Sequence, residues 1–249
     1  MLEPTFEILT GRSSDHLRDK SSKDPSELLI PIVSDHFYEW KLMAQTAGFN
    51  LMIASSYRSM ERQRKIWNEK IAGKRPLKSK TGSIINPKDL KDEEMLETIL
   101  HWTHIPGASR HHWGSDLDVF DLTPFEITQS KLQLENDEYE GDGPCANFNS
   151  WMESKCLKNS QFPFFRPYMG NLTLINSEKL SPRSKFFFEK ELWHYSHKKM
   201  AQHFQKHYTF NIFEMNLLAL QNDDAEPTGL IDLLLKKKDF LYSLTQITH

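Results

Sequence analysis

The chain has 249 residues, with 31 Lys and Arg, 34 Asp and Glu, 11 His and 2 Cys, and a formal net charge of −3. Two cysteines are too few for a disulfide framework or a cysteine-based zinc module, and the near-neutral charge offers no basis for nucleic acid as the main partner. No apolar run approaches the ~18 residues of a membrane span, and the N-terminus has no leader-like stretch. We therefore expect a soluble globular protein, cytoplasmic as given, or periplasmic or in the cell envelope if the chain is a processed form. Any metal site would use imidazole and carboxylate ligands.

Helices alternate with short strands along the predicted chain. In order, we predict an extended arm at 1–25, a helix at 31–47, a buried strand at 50–55, a helix at 60–72, a basic loop at 74–88, a helix at 90–102, a strand at 117–120, an acidic insertion at 135–147, a short helix at 151–157, a strand at 191–196 and packing helices at 217–220 and 230–235. The first long helix follows from Val33, Phe37 and Trp40, whose spacing of three or four residues places them on one face. The elements predict a single α+β domain at 26–204, with a helical extension at 205–249 packed on it.

The densest polar cluster is SRHHWGSDLD, which leads into the third predicted strand. His111 and Asp118 flank Gly114, and a glycine permits the sharp turn through which an imidazole and a carboxylate can converge. A catalytic zinc takes three protein ligands, so the third must come from elsewhere in the chain. ELWH offers His194 as that ligand and Glu191 as a carboxylate near the metal. One Zn²⁺ at this site would activate a water, and Glu191 would take its proton and deliver it to a leaving amine.

Other polar residues near these motifs have ordinary explanations. His203 and His207 have metal-ligand spacing, but their Lys and Gln neighbours favour a solvated helix face. His112 would point away from His111 in an extended segment. Asp116 either accepts a hydrogen bond from a ligand histidine or faces solvent, and the sequence favours neither.

Three segments form a combined pattern: YRS with a downstream glutamine at 57–63, SxHxxGxxxD at 109–118 and ExWH at 191–194. In this order they resemble the VanY-type D-alanyl-D-alanine carboxypeptidases, zinc peptidases grouped with lysostaphin-like enzymes and the Hedgehog signalling domain. The resemblance implies a small antiparallel sheet that carries the zinc site and is packed by helices. It also implies that His111, Asp118 and His194 bind the zinc and that Glu191 is the catalytic base.

The resemblance further assigns three substrate-binding residues. Arg58 is implied to pair with the terminal carboxylate of the substrate, and Ser109 and Gln63 are implied to lie near the bound peptide. The role of Arg58 is also reasonable on its chemistry, because a guanidinium binds a carboxylate through two parallel charge-assisted hydrogen bonds.

The implied reaction is hydrolysis of a terminal D-alanine from peptidoglycan stem peptides or muropeptides. A D,D-carboxypeptidase cuts D-Ala-D-Ala in pentapeptides, whereas an L,D-carboxypeptidase trims tetrapeptides and can act in the cytoplasm on recycled wall fragments. The missing leader favours the L,D reaction. Two alternatives stay open: a non-catalytic zinc-containing peptide-binding protein, which Glu191 argues against, and a cross-link endopeptidase, which Arg58 argues against.

Overall fold

A four-stranded antiparallel sheet forms the centre of the computed structural model, which describes residues 3–79, 82–169, 190–224 and 228–246. Its strands, in spatial order, are β1 (Leu51–Ser55), β4 (Asp116–Asp121), β6 (His194–His197) and β5 (Phe164–Phe165), and β2 (Leu77–Lys78) pairs with β3 (Ile84–Ile85) in a separate hairpin. The helices are α1 (Phe6–Leu9), α2 (Pro31–Thr46), α3 (Met60–Ile71), α4 (Asp92–Leu100), α5 (Thr123–Thr128), α6 (Ala146–Trp151), α7 (Lys198–His207), α8 (Phe210–Gln221), α9 (Ile231–Lys236) and α10 (Lys238–Thr245). The predicted α+β class with a small antiparallel sheet is confirmed. Within the described ranges, every helix is too short or too polar for a membrane span.

The register of the central sheet brings distant parts of the sequence together. Asp118 on β4 lies directly opposite His194 on β6, and Ser55 at the end of β1 pairs with Asp118 on the other side. Because Cβ atoms of directly opposed residues lie about 4.5–5.5 Å apart, this register alone makes the two side chains neighbours.

A left-handed glycine ends the short 3₁₀ turn Arg110–Trp113 that precedes β4. Gly114 has a φ of 66°, and a Cβ added there would lie 2.5 Å from the side chain of Leu17. Glycine adopts this conformation readily, and having no Cβ it also leaves room for Leu17. The predicted turn therefore forms, and it directs His111 back towards β4.

Helix α2 packs its predicted apolar face against the sheet. Val33, Phe37 and Trp40 are all buried, and Pro31 occupies the first turn, where a missing N–H costs no hydrogen bond. The Trp40 ring lies 4.9 Å from that of Tyr195, centroid to centroid, in an edge-on contact. This packing fixes β6, whose first residue is His194.

Helix α3 connects two parts of the site described below. Ser59 caps it, since its hydroxyl accepts a hydrogen bond from the Arg62 N–H at 3.2 Å. Arg58 therefore lies immediately before the helix, and Lys70 lies in its last turn.

The N-terminal segment differs from the extended arm predicted at 1–25. Thr5 caps the one-turn helix α1, and the Leu9 side chain is buried in the main core. The Trp113 indole N–H donates to the Leu9 carbonyl at 3.1 Å, and the Tyr57 hydroxyl donates to the Gly11 carbonyl at 3.1 Å. The short apolar run after the capping threonine forms a helix and packs into the core, although the segment as a whole has a polar composition.

The C-terminal helices pack on the loop that leads into the site. The Asn216 side-chain amide donates to the Pro106 carbonyl at 2.9 Å, and the Tyr208 hydroxyl donates to the Gly107 carbonyl at 2.7 Å. Arg12 from the N-terminal segment donates to Asn216 Oδ1 at 2.7 Å. Both ends of the chain thus hold the segment before the 3₁₀ turn in place.

Several predicted boundaries shift. The helix predicted at 151–157 lies earlier, at Ala146–Trp151, and continues as a π-helical turn at Met152–Cys156. The strand predicted at 191–196 begins only at His194, because the residues before it form a turn. The predicted arm, basic loop and C-terminal extension each include residues outside the described ranges: 1–2, 80–81, 225–227 and 247–249.

Candidate metal centre and active site

Three buried side chains from three elements converge on one point. His111 comes from the 3₁₀ turn, Asp118 from β4 and His194 from the start of β6, and their ligand atoms all lie within 4.8 Å of one another. His111 Nε2 is 3.5 Å from Asp118 Oδ2, and His194 Nδ1 is 3.3 Å from Asp118 Oδ1. The structure thus brings together the three residues that the sequence singles out as ligands.

Each of the two histidines makes a hydrogen bond through the ring nitrogen that points away from this position, and that bond determines which nitrogen faces it. His111 Nδ1 donates to the Ser56 carbonyl at 2.7 Å, and His194 Nε2 donates to Asp116 Oδ1 at 3.1 Å. With those nitrogens protonated, His111 Nε2 and His194 Nδ1 carry free lone pairs directed at Asp118. Hydrogen bonds of this kind orient metal-binding histidines in proteins.

Asp116 lies at the centre of a buried polar network and does not face solvent. It accepts hydrogen bonds from Arg110 Nε at 3.0 Å and from the Ser115 hydroxyl at 2.6 Å, and it also accepts one from Ser196. Burial alone raises the pKa of Asp116, but Arg110, His194 and Ser115 outweigh it and hold the pKa well below its usual range. Of the two interpretations of Asp116, the structure supports that of an acceptor for a ligand histidine.

The charges around the three side chains favour a cation. Asp118 Oδ1 is buried and accepts no hydrogen bond from the described residues. Burial alone lowers the pKa of His194, but Asp116, Asp118 and Glu191 outweigh it and raise the pKa well above its usual value. Two neutral imidazoles and one carboxylate are also a donor set typical of zinc with an open coordination position. The residues present therefore fit a zinc ion.

Glu191 lies beside the candidate ligands but is not one of the three. Its Oε2 is 3.1 Å from His194 Nδ1, and its side chain is 18% exposed. The backbone N–H of Glu191 donates to the Tyr168 carbonyl at 3.1 Å, which holds the turn before β6. A partly exposed carboxylate at this distance can exchange a proton with a group bound at the metal position.

The Arg58 guanidinium faces the same site, and a chain of hydrogen bonds on its other side positions it. Its Nη1 donates to Gln63 Oε1 at 2.9 Å, and Gln63 Nε2 donates to the His104 carbonyl at 2.6 Å. Among the described residues no carboxylate lies within 4.0 Å of the guanidinium nitrogens. Gln63 is fully buried and supports Arg58, and its implied place near the bound peptide stays a prediction.

One cavity of about 640 Å³ joins the metal position to these groups, and we refer to it as the active-site cavity. Arg58, Ser109 and Glu191 line it together with the three candidate ligands, and the Ser109 hydroxyl has no hydrogen-bond partner among the described residues. The lining also includes Lys70, Arg75, Lys78, Trp102, Thr103, His104, Trp193 and the segment 133–137. Lys70 carries no signal in the sequence, and the acidic insertion was predicted only as a surface feature.

The remaining histidines stay outside this group. His203 and His207 meet edge-on on α7, with ring centroids 4.6 Å apart, and belong to no candidate metal group within the described residues. His112 accepts a hydrogen bond from the Gly107 N–H at 3.0 Å and donates to the Arg58 carbonyl at 2.6 Å. It therefore fixes the backbone of Arg58, which agrees with its exclusion from the predicted ligands.

Several known proteins are similar to this chain in sequence or in structure. An uncharacterized protein of Haemophilus influenzae is 34% identical over 100 residues, which are 40% of this chain and 68% of that protein. The vancomycin-resistance D,D-pentapeptidase VanY in complex with Zn(II) is 18% identical, with a TM-score of 0.45 over 82% of this chain and 95% of that one. The LD-carboxypeptidase LdcB is 19% identical, with a TM-score of 0.43 over 78% of this chain and 71% of that one.

The structural similarities are weak in both identity and TM-score, so the family assignment depends on a match to a family model. The model of VanY, D-alanyl-D-alanine carboxypeptidase, matches residues 27–200, which is more than half of the chain. The matched range contains all three motifs and every side chain of the site described above. The chain belongs to the VanY family of D-alanyl-D-alanine carboxypeptidases.

Proposed function

We propose that this chain removes the terminal D-alanine of peptidoglycan stem peptides with the help of a bound zinc ion, and that it prefers tetrapeptides to pentapeptides. The observation that carries the proposal is that the candidate ligands, Glu191 and the guanidinium of Arg58 line one cavity. A metal position, a nearby carboxylate and a cation for a free carboxylate are the three requirements of metal-dependent carboxypeptidase chemistry.

The residues of the chain perform separate parts of this reaction. His111, Asp118 and His194 would hold the zinc ion, which would supply Lewis acidity and lower the pKa of a water from about 15.7 towards 7. Glu191 accepts a proton from the attacking water and delivers it to the amine of the departing D-alanine. Arg58 pairs with the terminal carboxylate, which selects the last peptide bond of the substrate.

The shape and charge of the active-site cavity support the preference for tetrapeptides. In a pentapeptide the residue before the cleaved bond is D-alanine, which presents only a methyl group. In a tetrapeptide it is a diamino acid with a long side chain, which in the diaminopimelate type ends in a carboxylate as well as an ammonium. A cavity of about 640 Å³ whose wall carries Lys70, Arg75 and Lys78 suits the second side chain better than a methyl group.

The test is to incubate zinc-loaded protein with a tetrapeptide and a pentapeptide stem and to identify the products by mass. We expect the tetrapeptide to yield free D-alanine and the tripeptide. A tetrapeptide with a C-terminal amide is the control, and it should be cut poorly because Arg58 finds no carboxylate. Release of D-alanine from the pentapeptide alone would reverse the proposed preference, and no release from either would contradict the function.

Replacement of Arg58 by Met should lower kcat/KM for the tetrapeptide by roughly 30-fold or more, because removal of one partner of a desolvated charge pair typically costs about 2–5 kcal/mol. Arg62→Met is the matched control, since Arg62 lies exposed in the first turn of α3, four residues after Arg58, and does not line the cavity. Steady-state kinetics on both variants provides the measurement. Equal kcat/KM values for the two variants would argue against carboxylate recognition by Arg58.

A further inference from the structure

The wall of the active-site cavity contains one ammonium group that the proposed reaction does not use. Lys70 is half-buried in the last turn of α3, and its Nζ donates a hydrogen bond to the Thr103 hydroxyl, which also lines the cavity. Among the described residues no carboxylate lies within 4.0 Å of this Nζ. A partly desolvated charge in a protein is normally paired with an opposite charge, so we expect an anion to bind beside Lys70.

The neighbouring cations of the cavity wall, unlike Lys70, have carboxylate partners within the described ranges. Arg75 pairs with Glu69 at 2.5 Å, and Lys78 pairs with Glu135 of the acidic insertion. Burial, and then the positive charge of Arg75, lower the pKa of Lys70 to about 8, which leaves it mainly protonated at neutral pH. Lys70 and Arg58 are therefore the two cations of the cavity wall that have no carboxylate partner among the described residues.

We propose that Lys70 is a specificity-determining residue that binds a second carboxylate of the substrate, carried by the peptide upstream of the cleaved bond. The inference deepens the proposed function and rests on it. Because the terminal carboxylate engages Arg58, a second cation in the same cavity serves a different anionic group. Stem peptides offer two such groups, the side-chain carboxylate of a diaminopimelate-type residue and the free α-carboxylate of the γ-linked D-glutamate.

The position of Lys70 favours the diaminopimelate-type carboxylate. Of the upstream residues, the one before the cleaved bond would lie closest to the metal position, and Lys70 lines the same cavity as that position. A lysine-type stem peptide places an ammonium there instead and would meet a like charge. The chain should accordingly prefer stem peptides whose third residue carries a side-chain carboxylate.

Three tetrapeptides test the inference: one with diaminopimelate, one with lysine in its place, and one with diaminopimelate but an amidated glutamate α-carboxylate. We expect wild-type protein to prefer both diaminopimelate peptides. Lys70→Met should lower kcat/KM for these two by roughly 10-fold or more, as expected for a lost hydrogen bond to a charged group, and should not lower it for the lysine peptide, whose ammonium no longer meets a like charge. Loss confined to peptides with a free glutamate carboxylate would still support a second carboxylate but would assign it to glutamate.

Controls separate recognition from folding. Lys70→Met keeps the aliphatic stem and removes a partly buried charge, so we expect it to fold, with unchanged zinc content and thermal unfolding. Lys70→Arg should retain most of the preference for diaminopimelate. Lys65→Met, on the exposed face of the same helix, should change nothing. An equal loss for all three peptides, or no loss, would overturn the inference, whereas wild-type protein that cuts none of them would overturn the proposed function itself.

Discussion

Replacement of Glu191 by Gln should lower kcat on the order of 10²–10⁴-fold, the usual contribution of a general acid or base, while the zinc stays bound. Glutamine has nearly the same shape but cannot accept a proton from the attacking water. Glu191 is not one of the three candidate ligands, and its carboxylate lies 3.1 Å from His194 Nδ1. Steady-state kinetics and metal analysis of the same preparation measure both quantities.

The control for this variant is Glu126→Gln, a glutamate exposed on α5 and outside the cavity lining. It should match wild type in kcat and in zinc content. If Glu191→Gln also retained wild-type turnover, the base would have to be another group. If wild-type protein bound stem peptides and zinc without any turnover, the non-catalytic binding function would be favoured instead.

Replacement of His194 by Ala should remove both the metal and the activity. The change leaves two of the three candidate ligands, and it also removes a hydrogen-bond donor from Asp116. Loss of an outer hydrogen-bond partner alone typically costs about 10–100-fold in metal affinity, so loss of the ligand should exceed ~100-fold. Competition with a chromogenic chelator measures the affinity.

The matched control is His203→Ala, which removes a histidine whose neighbour His207 gives it metal-ligand spacing in the sequence. Zinc affinity and activity should stay at the wild-type level, because His203 belongs to no candidate metal group within the described residues. Tight zinc binding by His194→Ala, or zinc loss in His203→Ala, would mean that the metal lies elsewhere.

The metal position could be predicted from the sequence because local geometry and strand register both determine it. Gly114 permits a left-handed turn in which a Cβ would lie 2.5 Å from the Leu17 side chain, so His111 and Asp118 approach each other over seven residues. The pairing of β4 with β6 then brings His194 opposite Asp118. Each of these constraints requires a particular residue type at a fixed position in the sequence. Short motifs were therefore sufficient to predict the three candidate ligands.

The rest of the site depends on tertiary contacts that leave no local pattern. Gln63 supports Arg58 because its amide reaches the carbonyl of His104, 41 residues away, and no local pattern in the sequence predicts that contact. Lys70 looks like any lysine on a polar helix, and only the packing of α3 against the segment that contains Thr103 places it in the cavity. The acidic insertion reads as a surface loop for the same reason, although residues 133–137 line the cavity.

The measurement that tests the central claim most directly is D-alanine release from the diaminopimelate tetrapeptide before metal removal, after it, and after zinc is restored. We predict release by the zinc-loaded protein, loss after chelation and recovery with about one equivalent of zinc. The Glu191→Gln protein, carried through the same cycle, should bind the zinc again without recovering activity. D-alanine release that persists in fully metal-free protein would contradict the account.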